Sequence, residues 1–70
     1  MKAIIMKVDA SEKNKIEAFI TSINTYEEMA ACYAGDAMVC VSAIGECGIA
    51  YAKAIATNAF DNEVKVIVIK

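Results

Sequence analysis

Two hydrophobic periods alternate along this chain, and their order limits what it can fold into more than any other feature. Lys2 to Val8 is rich in β-forming residues and reads as a first strand. Ile16, Phe19, Ile20 and Ile23 then recur at i, i+3, i+4 and i+7, the spacing of one apolar helix face over about three turns. Asp9 or Ser11 offers the cap for that helix, with Asp9 and Glu12 at capping-box spacing, and the polar stretch Thr21-Ser22 through Asn24-Thr25 ends it. Glu28 to Tyr33 and Ala37 to Ala43 are short apolar runs on either side of Ala34-Gly35-Asp36, which predicts a hairpin. Gly45-Glu46-Cys47-Gly48 reads as a short loop. Helical spacing returns in an Ala-rich segment through Ile49, Ala52, Ile55, Ala56, Ala59 and Phe60 and stops at Asp61-Asn62. Val64 to Ile69 is a β-branched final strand, with Lys65 and Lys70 as its only charges.

This order, β-α-β-β-α-β without proline, linker or low-complexity stretch, predicts one domain over residues 1–70. Its class is α+β, a ferredoxin-like four-stranded antiparallel sheet with both helices on one face. With Gly35-Asp36 as the two-residue turn, Tyr33 pairs with Met38 and Ala31 with Cys40. That register puts Met29, Tyr33, Met38 and Cys40 on one face and Cys32, Val39 and Val41 on the other. Whichever parity the last strand takes, the face away from the helices receives Ile67 and Ile69 or Val66 and Val68. So large an apolar face is rare on a monomer. It implies a homodimer or a protein target, unless strand twist leaves only scattered exposure.

Composition removes whole classes of activity. Seventy residues bury only about 60% of the surface of the unfolded chain, yet this chain is 59% hydrophobic, above the roughly 45–50% of ordinary domains. Charges interrupt the apolar residues too often for a membrane span of about 18 residues. Met1-Lys2 leads into only four uncharged residues before Lys7, which is no signal sequence, so a cytoplasmic protein is expected. A net charge of −2 with no basic cluster argues against nucleic acid and anionic membrane surfaces. Arg and His are both absent, which removes the bidentate phosphate fork, the usual neutral-pH base and the commonest metal ligand. No cofactor, no metal and no catalytic residue is expected. Glu27-Glu28 and Asp61 with Glu63 read as solvated element ends rather than acid–base pairs, and Tyr33 and Tyr51 as packing aromatics. Cys32, Cys40 and Cys47 match no disulfide or zinc spacing and read as small core hydrophobes in a reducing compartment. Cys47 alone stands where a helix start could activate a thiol.

The segments Met38-Val39-Cys40-Val41-Ser42-Ala43-Ile44-Gly45, Gly48-Ile49-Ala50 and Glu63-Val64-Lys65-Val66-Ile67 resemble the β-α-β half of ACT domains, especially those at the regulatory end of aspartate kinases. The match covers about half the chain, from a strand ending V-S-x-hydrophobic-G through G-hydrophobic-A to a strand like N-I-K-hydrophobic-I. The resemblance implies a non-catalytic regulatory module that pairs side by side and binds a small amino acid at the strand-to-helix loop. Its site residues would be Gly45, Glu46, Cys47 and Gly48. A two-glycine loop opening a helix presents free N–H groups to a ligand carboxylate without needing Arg. This loop is shorter than the family's, lacks its Pro, and carries Glu46 where an anion would sit. The two glycines also suit a tight turn and close helix–sheet packing with no ligand at all.

A weaker resemblance joins Ile16, Phe19-Ile20, Tyr26-Glu27, Gly35, Val39 and Ile44 to histidine-less relatives of the histidine-containing phosphocarrier protein. The active histidine and its arginine are missing, and Ala43 stands at the regulatory serine position, with Ser42 one residue early. Other ferredoxin-like functions need a C-x-x-C, a loop arginine or exposed aromatics in basic surroundings. The alternative to an ACT-like module is a small protein inhibitor or adaptor, for example of mobile-element origin, that grips a protein target through the open sheet face.

Overall fold

Alternating β-branched and helical segments give the expected elements in the expected order. In the computed structural model, which describes residues 1–69, these are β1 (Lys2–Lys7), a 3-10 segment (Ala10–Lys15), α1 (Ile16–Asn24), β2 (Met29–Gly35), β3 (Met38–Ala43), α2 (Glu46–Ala59) and β4 (Lys65–Ile69). The four strands form one antiparallel sheet in the order β2-β3-β1-β4. Both helices cover the same face, the ferredoxin-like βαββαβ arrangement. Ile4 and Met6 of β1 and Val39, Val41 and Ala43 of β3 meet Ile16, Phe19 and Ile23 of α1 and Ile49, Ala52 and Ala56 of α2 in one core. Small Ala side chains on α2 let that helix lie close to the sheet, and the larger α1 residues fill the rest. Phe19 and Phe60 pack with ring centroids 5.6 Å apart. Lys70, read as a charge of the last strand, lies outside the described residues. Among those residues no helix is long and apolar enough to cross a membrane.

The chain enters α1 through the 3-10 segment rather than directly. Asp9 caps it, accepting from the Ser11 N–H and hydroxyl at 2.9 Å each. Glu12 does not complete the capping box expected from its spacing. It is buried, and its carboxylate reaches across the fold to accept the backbone N–H groups of Asp61 and, at 3.1 Å, Asn62. A loop with no regular partners thereby gains charge-assisted acceptors for its donors.

The hairpin corrects the expected register by one residue. Its turn is Asp36-Ala37, both at positive φ (51° and 58°), preceded by Gly35 at 92°. The pairs are Tyr33 with Val39, Cys32 with Cys40 and Ala31 with Val41, and a bulge lies between Tyr33 and Gly35. Two consecutive positive-φ residues match the right-handed twist of the flanking strands, and the extra residue in the bulge absorbs the offset. A one-residue slip exchanges faces. Met29, Ala31, Tyr33, Val39 and Val41 therefore share the helix side, while Cys32, Met38 and Cys40 face away.

The cysteines depart from expectation, Cys32 and Cys40 through this register and Cys47 through its place in the first turn of α2. None lies in the core: Cys32 and Cys47 are exposed, Cys40 is half-buried, and all three are free thiols. Tyr33 and Tyr51 are also partly exposed rather than packed inside.

Candidate functional site

Gly45, Glu46, Cys47 and Gly48 form the cap and first turn of α2, not a loop ahead of it. Gly45 is the N-cap, with extended backbone (φ −143°, ψ 177°), and the Ile49 N–H closes onto its carbonyl at 3.3 Å. The N–H groups of Glu46, Cys47 and Gly48 precede that bond and have no intrahelical acceptor. Early helix formation follows from composition, because residues 46–59 contain no β-branched run and carry five Ala, the strongest helix former. Glu46 is exposed and pairs with Lys2 at 3.6 Å, a surface contact that adds little stability. Gly48 has a packing role that its φ alone would not reveal. A Cβ there would lie 2.7 Å from the Cβ of Ala43 and 3.7 Å from Cγ of Met29. Only glycine lets α2 approach β3 this closely.

Cys47 and Gly48 form one wall of an open cleft of about 530 Å³, whose other sides come from Thr25, Tyr26, Glu27, Glu28, Met29 and Tyr51. Tyr26 and Tyr51 meet edge to face, with ring centroids 5.4 Å apart and interplanar angle 89°, and their hydroxyls lie 3.2 Å apart. The hydrogen bond with Tyr51 pushes the Tyr26 phenol above its ordinary value, with lesser help from desolvation. The two rings serve as apolar walls with polar tips. This pair was not legible from the chain, because its members are 25 residues apart and lie on no shared period. Its only sequence signal was two tyrosines near the ends of predicted elements.

The second candidate surface is the sheet face that the helices leave bare. Register fixes its membership: Ala3, Ile5 and Lys7 from β1, Met38, Cys40 and Ser42 from β3, Ala30 and Cys32 from β2, and Lys65, Ile67 and Ile69 from β4. Of the two parities left open for the last strand, Ile67 and Ile69 face outward and Val66 and Val68 lie on the helix side. Ile67 is 55% exposed and Ile69 36%. The middle row runs Cys32, Cys40, Ile5, Ile67 without a polar group, and among the described residues of this face charge enters at one end, through Lys7 and Lys65.

The polar cluster around Glu12 is structural. Lys15 bonds the Asp61 carboxylate at 2.6 Å and Glu12 at 3.5 Å, and Asn62 donates to Asp9 at 3.2 Å, which ties the 3-10 segment to the α2–β4 loop. The Asp61 contact holds the Lys15 ammonium above its usual range, and the Ser11 donors hold Asp9 below the usual carboxylate range. Glu27 and Glu28 are exposed, as expected of element ends. Among the described residues no three Cys, Asp or Glu side chains converge as a metal ion would require. Comparison with family models, curated proteins and solved structures finds no match for this chain.

Proposed function

We propose that this chain is a non-catalytic interaction module that works as a homodimer through the bare face of its sheet. The observation that carries this reading is the uninterrupted apolar row Cys32, Cys40, Ile5, Ile67, lying opposite the helices and flanked by Ala3, Ala30 and Ile69. Water in contact with such a face is displaced favourably at about 25 cal/mol per Å² of apolar surface. The short chain adds a motive, since its one-sided core is small and association would extend it. The test is sedimentation equilibrium across micromolar concentrations. A dimer is expected, and a monomer at every concentration up to about ten times that range would overturn the proposal. A dimer is also what an ACT-like module needs, although the side-by-side pairing of that family would use strand edges instead. A protein target seated on the same face is the competing outcome.

A second reading, capture of a small amino acid or similar ligand, is favoured by the Tyr26–Tyr51 cleft beside the first turn of α2. Free N–H groups of Glu46, Cys47 and Gly48 would meet an anionic end and the tyrosine rings an apolar one. The adjacent Glu46, Glu27 and Glu28 oppose an anion, which makes this the weaker of the two. Thermal shift against a panel of free amino acids tests it, because a ligand that binds only the native state must raise the melting temperature. No shift with any member would leave the sheet face as the working surface.

A further inference from the structure

The bare sheet face is divided into a bulky half and a small half, and the division specifies how a second copy would sit on it. Across the middle row, β4 and β1 present Ile67 and Ile5, whereas β3 and β2 present Cys40 and Cys32. In the next row the edge strands keep the division, with Ile69 on β4 and Ala30 on β2 at its ends and the small Ala3 and Ser42 between them. In the row beside the turn Met38 lies on β3 next to Lys7. Two identical faces with one bulky and one small half fill each other only if the bulky half of one lies over the small half of the other.

The geometry points to a two-fold axis parallel to the strands and lying between β1 and β3, which stacks β4 of one copy on β2 of the other. This arrangement rests on the association proposed above and adds its symmetry and its contacts. Ile67 then meets the partner's Cys32, and Ile5 meets its Cys40. Each contact occurs twice, as a self-complementary interface requires. Lys65, at the end of β4, is carried over the Asp36 turn at the same end of β2, an opposite-charge contact, while the Lys7 side chains of both copies gather at that end and keep it solvated. The other axis compatible with aligned strands, perpendicular to them, stacks β4 on β4 and β2 on β2. It sets Ile67 against Ile69, leaves a gap between Cys32 and Ala30, and brings the Asp36 end of β2 over the Glu28 end, acid to acid. An aligned stacking offset of about 30° shifts the edge contacts by about 4 Å, roughly half the spacing between rows, and keeps the same strands facing each other.

Area sets the expected strength. Four strands about 4.8 Å apart and about five residues long give a face of roughly 20 by 17 Å. Stacking two such faces removes roughly 700 Å² from water in total, below the roughly 1,000 Å² that a stable interface clears, so the sheet face alone supports a weak, reversible dimer whose population rises with concentration.

Cross-linking distinguishes the axes because Cys32 and Ile67 lie on opposite edge strands. Three strand spacings, about 14 Å, separate them within one chain, which is beyond the reach of a disulfide. In an Ile67→Cys, Cys40→Ser, Cys47→Ser variant the only thiols are at positions 32 and 67. After sedimentation has established that this variant is dimeric, a short bis-maleimide, which spans the roughly 10 Å between stacked sheets, should join position 67 of one copy to position 32 of the other, as read by peptide mass spectrometry of the isolated covalent dimer. A second variant with thiols only at 30 and 69 should give the mixed pair as well. Like-to-like products, 67 with 67 and 32 with 32, in a dimeric sample would overturn the axis while leaving the association through this face intact. A monomer for both variants and for the wild-type chain would overturn both.

Discussion

Replacing Gly48 by Ala tests whether the first turn of α2 is set by packing. The added Cβ would stand 2.7 Å from the Cβ of Ala43, about 1 Å inside the ordinary carbon–carbon separation of roughly 3.5–4.0 Å. Neither atom can rotate away, since both are fixed to backbone, so α2 must lift from β3 or the strand must bend. Overpacking of this kind costs about 1–3 kcal/mol. Ala gains up to about 1 kcal/mol over Gly in helix propensity, which leaves a net loss of about 1 kcal/mol at the middle of the overpacking range. Urea unfolding at one fixed protein concentration measures it, because association would add a concentration-dependent contribution. Gly45→Ala is the control: nothing lies within 4 Å of its Cβ, and a change of about 0.5 kcal/mol is expected from capping alone. The double variant Gly48→Ala, Ala43→Gly removes the opposing Cβ and should recover part of the loss as a measurable coupling. A Gly48→Ala protein as stable as wild type, or no coupling to position 43, would refute the packing argument. Gly48→Val would then also be usable as a ligand-site probe, which the close approach to Ala43 otherwise forbids.

Three further outcomes follow from the core and its polar ties. Phe19→Ala should cost about 3–5 kcal/mol in denaturant unfolding, because Phe19 is buried against Phe60; a loss below about 1 kcal/mol would show that the core is filled otherwise. Glu12→Ala should cost about 2–3 kcal/mol by removing a buried acceptor of two backbone N–H groups, and an unchanged unfolding midpoint would contradict that role. Asp9 has a folded pKa below its ordinary 3.8, so its cap is fully stabilising above that value and is lost as pH falls through the lowered folded pKa. Asp9→Asn, which caps without titrating, should flatten that acid limb of a melting-temperature profile, and an unchanged limb would assign it to other carboxylates.

Element order was legible because Ile16, Phe19, Ile20 and Ile23 carry a clear helical period, β4 is a β-branched run, and the short apolar segments of β2 and β3 flank Gly35-Asp36. Register was not. The hairpin hinges on Ala37 adopting positive φ, a conformation that its side chain disfavours and that sequence pattern assigns to Gly35 instead. That single residue put Cys32 on the same face as Cys40 and Met38, and brought Met29 and Tyr33 to the side of Val39 and Val41. The start of α2 was masked by Gly45 and Gly48, which read as loop punctuation, although Gly48 is there to admit the strand. Glu12 looked like a local cap because the donors it satisfies lie 49 and 50 residues away. Of the candidate site, the 45–48 turn could be read from its glycines, whereas the tyrosines beside it are joined only by tertiary structure.

Ile67 and Val68 provide the most direct test of the central claim, because they are adjacent on β4, similarly exposed at 55% and 66%, and point to opposite sides of the sheet. Ile67→Glu places a charge on the proposed interface, and Val68→Glu places the same charge on the helix side. Sedimentation equilibrium of both variants beside the wild-type chain, with circular dichroism to verify folding, should give a folded monomer for Ile67→Glu and an undisturbed dimer for Val68→Glu. Equal dimerisation of the two, or a wild-type chain that is monomeric throughout, would contradict association through the bare sheet face.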